Sequence, residues 1–334
     1  MHRPFSRLPR SRRRRALLGA VAVLAALGLV LWWLLPLGRP EPAGPLTFST
    51  GVRTGVYQRY GELLRDAMAR DLPKVDVRLV SSEGSQQNLA RVASGEADFT
   101  IATADAVATY EMDRKPGADR LRGCARLYDD YVQLVVPADS PVRSAADLRG
   151  KRVAVGQPGS GVRLLSDRLL SAAGLDPAKD VTPVSIGIDR MPGELEAKRI
   201  DAFFWSGGLP TTAVRELSER SEIRLVPLGD LVGALQRTGP TARYYRAAVI
   251  QQDAYKLARN TSAVATLAVP NLLVTTDRTD PALTEGLTRT LIDNRDRIGG
   301  QVHAAQLVDL RTAIFTDPLE LHEGAARYYR SVKP

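Results

Sequence analysis

A short strand pattern, a loop of small polar residues and a helix pattern recur along this chain, and the repeat strongly constrains the fold. The first three units begin with apolar runs at 46–49, 75–80 and 98–102, and each run leads into a loop rich in Ser, Thr or Gly. Two further units begin at 152–155 and 201–205. Strands that alternate with helices at this spacing form parallel sheets, so we predict an α/β fold.

The chain is long enough to form two such sheets. Its 334 residues exceed the usual limit for a single hydrophobic core. An apolar run at 131–136 ends at Pro137, and a new series of units follows it. We therefore predict two lobes, each built around its own sheet.

Most of the net charge of +9 lies in the first 40 residues. They contain eight Arg and no acidic residue, so 38 of the 46 basic residues and all 37 acidic residues lie in the other 294 positions. That larger part carries about +1 and offers no basic surface for phosphate groups. A nucleic-acid partner is therefore not expected.

An uncharged apolar segment, 16–37, follows a basic leader at residues 1–15. A helix of that length would measure about 33 Å, which matches the hydrocarbon core of a bilayer. The basic leader predicts a signal anchor in the cell membrane, with the N-terminus cytoplasmic and the main domain extracytoplasmic. A cleaved signal peptide is the alternative, although the run is longer than a typical signal h-region. The Pro- and Gly-rich residues 38–45 are typical of a linker.

Five of the loops between strand and helix patterns predict a polar cleft. In open parallel α/β sheets, ligands bind beyond the carboxyl ends of the strands, where loops lead into helix N-termini. Helix capping and tight turns also explain small polar residues in any one loop. Five together favour a cleft that accepts anionic groups. The loops are 50–55, 81–85, 103–105, 156–161 and 206–208.

The motifs for catalysis and metal binding are missing from the sequence. Ser160 lacks the Gly residues that flank a hydrolase nucleophile at two positions on either side. The loop 156–161 lacks the Lys and the Ser or Thr of a nucleotide phosphate-binding loop. We interpret Asp129 and Asp130 as acids on a solvated face. An enzyme is therefore disfavoured, and we expect no catalytic residue, cofactor or metal.

A series of short motifs runs through residues 46–330. They are Ser49-Thr50-Gly51; Gly55-Val56-Tyr57 with Gly61; Gly84-Ser85 with Asn88-Leu89; Gly95-Glu96-Ala97-Asp98; Asp147-Leu148 with Gly150-Lys151-Arg152-Val153; Gly156 with Gly159-Ser160-Gly161; and Ile200-Asp201-Ala202-Phe203-Phe204. In this order and spacing the chain resembles the TAXI branch of the solute-binding proteins that serve TRAP transporters. It departs from a common form of that family, which has Gly-Gly and a second Tyr where Val52-Arg53 and Gln58 stand here.

The resemblance implies a two-lobed, periplasmic-binding-protein-like fold of type II, with a hinge and a cleft between the lobes. It places lobe one at 46–135 plus 246–334 and lobe two at 136–245, with hinge crossings near 134–136 and 264–274. It also implies capture of a small carboxylate or amino acid, such as glutamate, and delivery to a TRAP-type permease. The alternative is a membrane-tethered subunit that presents its ligand state to a signalling partner such as a sensor kinase.

Ligand contacts are expected from both lobes, because only a ligand with higher affinity for the closed form favours closure. Loop amides and hydroxyls would hold carboxylate oxygens, and Asn88 would either bind a polar group or cap its helix. Tyr57 and Trp205 would form the walls of the site, with core packing as their alternative role. The candidates are Thr50, Gly51, Tyr57, Ser85 and Asn88 of lobe one, and Gln157, Ser160, Gly161, Trp205 and Gly207 of lobe two.

Overall fold

A computed structural model describes Val21, residues 23–28, Val30 and residues 41–332. The chain divides into two compact units, Met1–Glu41 and Pro42–Pro334. In the first unit the described residues between 21 and 30 are helical and exposed. None of the helices described has the length and apolar character needed to cross a membrane. The predicted leader, most of the predicted anchor and residues 38–40 of the predicted linker lie outside the described residues. The end of the predicted linker is wrong, because Gly44 and Pro45 already belong to the first strand.

Strands and helices alternate through the first half of the second unit, as predicted. The strands are β1 (Gly44–Ser49), β2 (Val75–Val80), β3 (Phe99–Thr103), β4 (Leu121–Pro137), β5 (Arg152–Ala154), β6 (Thr182–Val184), β7 (Ala202–Gly207), β8 (Ile223–Val226), β9 (Arg246–Ile250) and β10 (Val264–Thr276). The helices are α1 (Val56–Asp71), α2 (Ser85–Ser94), α3 (Ala104–Met112), α4 (Gly161–Ala172), α5 (Met191–Glu196), α6 (Thr212–Arg220), α7 (Val232–Gln236), α8 (Pro281–Asp293), α9 (Arg295–Gly299), α10 (Leu310–Ala313) and α11 (Glu323–Val332).

Two groups of parallel strands form the ends of one mixed sheet. Its order is β2-β1-β3-β10-β4-β7-β5-β6, with β8 beside β4 and β9 beside β10. In one group β1 pairs in parallel with β2 and β3, and in the other β5 pairs in parallel with β6 and β7. The two groups lie within the predicted lobes one and two, but the prediction of a separate sheet for each lobe is wrong, because β4 and β10 join both groups into one sheet. Helices follow the carboxyl ends of β1, β3 and β7 directly or after a short loop, so those ends face a common region.

The long strands β4 and β10 connect the two groups. Residues 121–131 of β4 pair with β10, whereas residues 131–137 pair with β7 and β8. In β10, residues 271–274 pair with β3 and residues 264–268 pair with β9. Each strand therefore takes part in both lobes. The sequence indicated only 131–136 of β4, because charged residues break the apolar pattern of its first half.

Separate apolar clusters stabilise the two lobes. In lobe one, Phe48 of β1 and Tyr60 of α1 are buried with Leu287 of the C-terminal helix α8. In lobe two, Phe203 of β7 packs with Leu217 of α6. A third cluster joins side chains of α2 and α3 to those of α4 and β7. Burial of these side chains contributes about 2 kcal/mol each, which makes packing the main source of stability.

Candidate functional site

A cavity lies where the two groups of parallel strands end, between the lobes. The cavity and its solvent-open mouth together contain about 630 Å³ of space that protein atoms do not occupy. Both lobes and the strand β4 that connects them contribute to its wall. The lining residues include Gly51, Val52, Gly55, Val56, Tyr57, Glu83, Gly84, Ser85, Thr103 and Asp130, and also Gly156, Gln157, Ser160, Gly161, Val162, Gly187, Ile188, Met191, Trp205, Ser206 and Gly207.

The structure brings most of the predicted site residues together in this wall. Those that line it are Gly51, Tyr57, Ser85, Gln157, Ser160, Gly161, Trp205 and Gly207. Thr50 and Asn88 are not among the lining residues, and both are fully buried behind it.

Asn88 holds the ends of two strands in place. Its Nδ2 donates to the carbonyl oxygens of Thr50 and Ile101, at 2.8 and 3.0 Å. Its Oδ1 accepts hydrogen bonds from the hydroxyls of Ser49 and Ser82, each at 2.7 Å. With all of these partners Asn88 has no free group for a ligand, and it does not cap helix α2 by a side-chain bond. Its role is to position the loops that form the wall.

Three helices point their N-termini at the cavity. Helices α1, α2 and α4 begin directly after Gly55, Gly84 and Ser160, all of which line it. The Ser160 hydroxyl accepts a hydrogen bond from the Arg163 amide at 3.0 Å and so caps α4. The first amides of a helix and its dipole favour negative charge at such a position. The cavity wall therefore has anion-binding character on both lobes.

The N-termini of α2 and α4 touch each other directly. The Gln87 amide donates to the carbonyl of Gly159 at 3.0 Å, and Nε2 of Gln86 donates to the carbonyl of Ser160 at 2.8 Å. Gly84 has φ +130°, and a Cβ there would lie 3.3 Å from Cα of Ser160. Glycine thus permits both the turn and the close approach. These contacts join the lobes, so the structure is a closed form.

Tyr57 forms a rigid polar part of the wall. Its hydroxyl donates to Oδ1 of Asn271 at 2.5 Å and lies 3.2 Å from Oγ of Ser85. Burial, with a smaller effect from the nearby Asp130, raises the pKa of Tyr57. The phenol therefore stays neutral at physiological pH. It can present its ring and hydroxyl to a ligand without adding charge.

Trp205 provides a hydrogen-bond donor on the other lobe. A Cβ on Gly207 would lie 2.6 Å from Nε1 of Trp205, so only glycine leaves room for the indole in this position. The indole Nε1 is buried and has no hydrogen-bond partner. Leaving a buried polar group unpaired costs about 1–3 kcal/mol. Other lining groups in the same state are Oε2 of Glu83, Oγ1 of Thr103, Oδ1 of Asp130 and Oγ of Ser206.

Asp130 is the most consequential lining residue that the sequence did not indicate. The interpretation of a solvated Asp129-Asp130 pair is wrong for Asp130, which is 4% exposed. Successive side chains of a strand point to opposite faces, so Asp129 reaches Arg126 and Arg246 while Asp130 faces the cavity. Mainly because it is buried, the pKa of Asp130 is raised to about 7. The sequence offered one signal for this lining residue, an acidic residue within the long strand β4.

The described residues offer no evident metal centre. Within residues 41–332 and the described part of the first unit, no group of three His, Cys, Asp or Glu could hold a metal ion. Arg53, where the resemblance described above led us to expect glycine, is exposed and does not line the cavity. The site thus consists of small loop residues, two aromatic rings, two acidic side chains and the apolar side chains of Val52, Val56, Val162, Ile188 and Met191.

Comparison with known proteins identifies a family. A family model described as the NMT1-like family matches residues 48–332. That match includes both lobes and nearly all of the described second unit.

Solved structures with similar folds include two proteins named as binding proteins and one named as a transporter. The alkanesulfonate-binding protein SsuA from Xanthomonas axonopodis pv. citri, bound to MOPS, has a TM-score of 0.51 and 17% identity, covering 89% of this chain and 86% of that one. A putative L-cystine ABC transporter from Listeria monocytogenes has a TM-score of 0.51 and 13% identity, covering 80% and 99%. An ancestral arginine-binding protein bound to arginine gives 0.50 and 16%, covering 78% and 98%. These likenesses confirm the two-lobed periplasmic-binding-protein-like fold.

Proposed function

The chain belongs to the NMT1-like family, and with that as a premise we propose that it is an extracytoplasmic solute-binding protein. It captures a small solute between its lobes and has no catalytic role. The cavity between two lobes that contact each other carries this proposal. A solute that touches Ser85 on one lobe and Gly161 on the other would be held only in the closed form, which is how such a ligand favours closure.

For the solute we propose a small carboxylate or amino acid. The N-termini of α1, α2 and α4 supply amides suited to carboxylate oxygens. Trp205 and Tyr57 supply flat walls, each with a polar edge. Two of the similar structures are an arginine-binding protein and a putative L-cystine transporter, which supports testing amino acids first. The bound MOPS and sulfonate named for SsuA add sulfonates to the test.

For the partner we propose a membrane permease of the TRAP type. This rests on the motif resemblance, whereas the cystine-related structure named above is titled an ABC transporter. An apolar segment at 16–37 would keep the binding domain at the outer surface of the cell membrane, near such a permease. Chemical cross-linking in membranes from cells that express the chain, followed by mass spectrometry, would identify the partner. A sensor kinase as the only cross-linked partner would contradict the transport role.

Calorimetry on the purified full-length chain in mild detergent tests solute binding. The protein is unfolded and refolded beforehand to remove any solute carried through purification. It is then titrated with amino acids, dicarboxylates, keto acids, sulfonates, sugars and phosphate. We expect saturable binding by one class, together with a rise in Tm that follows RT ln(1 + [L]/Kd).

Gly207→Leu is the matched variant, because its side chain would displace the indole of Trp205 from the cavity wall. We expect this variant to lose binding while keeping its fold. If the wild-type protein responds to no compound, the proposed function is overturned.

A further inference from the structure

The charged groups in the cavity wall are all acidic. Among the lining residues, which belong to the described second unit, the charged side chains are Glu83 and Asp130, and no Lys, Arg or His occurs. Arg163 follows the lining residue Val162, but its guanidinium pairs with Asp167 at 2.8 Å. A solute with only negative groups would meet two carboxylates and no cation there. The wall thus disfavours a plain dicarboxylate or sulfonate at its acidic end.

Asp130 lacks a positive partner. It is 4% exposed, and its Oδ1 has no hydrogen-bond partner. The arginines nearest to it in the strand pairing, Arg126 and Arg246, both bind Asp129 on the opposite face of β4. Placing a carboxylate in such a site is costly unless a cation joins it. The cavity beside it is where that cation would be held.

The helix N-termini in the cavity wall favour an anion, whereas Asp130 favours a cation. Helices α1, α2 and α4, of 16, 10 and 12 residues, direct their first amides at the same cavity. Nε1 of Trp205 is a further donor there, buried and without a partner. These groups favour an anionic end of the solute. One cavity therefore offers donors for an anion and, at Asp130, a carboxylate that polar neighbours Asn271 and Ser206 assist but no cation neutralises.

We infer that the solute is a zwitterion, and that Asp130 determines this specificity by binding its protonated amine. The inference rests on the proposed solute-binding function and defines the solute class further. The anionic group of the solute binds at the helix N-termini, and the ammonium group donates hydrogen bonds to Asp130. Amino acids and related amino-sulfonates have this pattern of charge, whereas their deaminated analogues lack it.

If Asp130 binds the ammonium group of the solute, affinity for the solute depends on pH in one direction. Burial raises the pKa of Asp130 to about 7, so below that pH binding of an ammonium group must first remove a proton from the carboxyl. Affinity should rise about tenfold per pH unit up to pH 7 and level off above it. A neutral Asp130 that donates to an anionic solute would give the reverse trend.

Two phenols and three other acids lie near Asp130 or in the same wall. Tyr57 and Tyr128 remain neutral, because burial raises the pKa of each phenol further above its usual value. Asp105 binds Arg168 and Tyr245, and Asp129 is held by its two arginines. Glu83 also lines the cavity, so Asp130→Asn is the variant that assigns the pH profile to Asp130.

The test compares matched pairs of compounds in calorimetry with the refolded full-length chain. The pairs are L-glutamate and glutarate, L-leucine and 4-methylpentanoate, and taurine and ethanesulfonate. We expect at least one amino member to bind 100-fold or more tightly than its deaminated partner. Asp130→Asn should remove most of that difference and abolish the pH dependence. Asp129→Asn, the neighbouring acid on the other face, should preserve both.

Three outcomes have separate meanings. Equal binding of both members of a pair, unchanged in Asp130→Asn, would overturn the inference and leave the solute-binding function standing. Affinity that falls as the pH rises through 7 would also overturn it, and would assign Asp130 as a neutral donor. Binding by no member of any pair, with no response in the wider panel either, would overturn the function itself.

Discussion

At the scale of single residues, the cavity wall holds polar groups that folding leaves unsatisfied. Asp130 and Trp205 are buried with free hydrogen-bonding atoms, while Asn88 behind the wall has all its hydrogen bonds. A buried group without a hydrogen-bond partner lowers the stability of the fold, whereas a buried group with all its hydrogen bonds raises it. This contrast separates groups that await a ligand from groups that maintain the fold.

Replacing Asp130 by Asn should stabilise the protein in the absence of solute. The folded-state pKa of about 7 lies above the unfolded value of about 3.9, so wild-type stability falls as pH rises from about 4 to 7. Asp130→Asn removes the group that ionises, so the stability of the variant does not fall for this reason as the pH rises. Urea denaturation should show it more stable than wild type by a few kcal/mol at pH 8, with the gap closing near pH 4. An equal gap at both pH values would show that Asp130 does not titrate as described.

Replacing Asn88 by Ala should destabilise the fold, although Asn88 does not line the cavity. The change leaves buried carbonyl groups of Thr50 and Ile101 without their donor. We expect a loss of about 3 kcal/mol in the free energy of unfolding, measured by urea denaturation. Trp205→Phe is the control, since it removes an unpaired N–H and should weaken solute binding with little effect on stability. Similar stabilities for Asn88→Ala and wild type would contradict the role assigned to Asn88.

At the scale of elements, the position of α4 makes its first residue critical. A Cβ at Gly161 would lie 3.0 Å from Oγ of Ser85 and 3.5 Å from Oγ1 of Thr103, both on lobe one. The N-terminus of α4 therefore approaches lobe one closely only because Gly161 has no side chain. The same crowding does not apply in an open form, where the lobes separate.

Gly161→Tyr should therefore block closure and leave folding intact. The ring would occupy the space between α4 and Ser85, so the lobes could not meet around a solute. Calorimetry should detect no binding, whereas thermal unfolding without solute should shift by only a few degrees. Gly174→Ala is a poor comparison because of its positive φ, so Ser171→Ala near the end of α4 serves as control. Unchanged affinity in Gly161→Tyr would refute the site.

The sequence predicted the elements of the parallel groups well and the connecting strands less well. Local apolar runs and the loops after them indicated β1, β2, β3, β5 and β7, because each is a short strand followed by its own helix. β4 was indicated only in part, since charged residues interrupt its apolar pattern and Asp129 and Asp130 have partners far away in sequence. For the same reason local pattern could not reveal that Asp130 faces the cavity: its environment is formed by Ser206 and Asn271, distant in the chain.

At the scale of the whole molecule, contacts between protein groups contribute to the closed form. The bonds from Gln86 and Gln87 to the loop before α4 join the lobes outside the site. A solute therefore adds to an existing preference for closure, and its apparent affinity depends on how often the closed form is populated without it.

Gln86→Ala should lower solute affinity without touching the solute. It removes the bond from Nε2 to the Ser160 carbonyl, worth about 1 kcal/mol, and so weakens affinity about fivefold. Ser94→Ala, at the far end of the same helix, should bind as wild type. Small-angle X-ray scattering of the solute-free protein should show a larger radius of gyration for Gln86→Ala. Identical affinities in the two variants would mean that this contact does not favour closure.

The hydrogen bond between the Gln87 amide and the Gly159 carbonyl also has a kinetic consequence. If a solute passes only when this contact breaks, opening of the lobes becomes an obligatory step in both directions. Observed association rates would then stop rising with concentration and reach a plateau set by the protein alone. Residence times would be long even for a solute of modest affinity, and release would depend on whatever pulls the lobes apart.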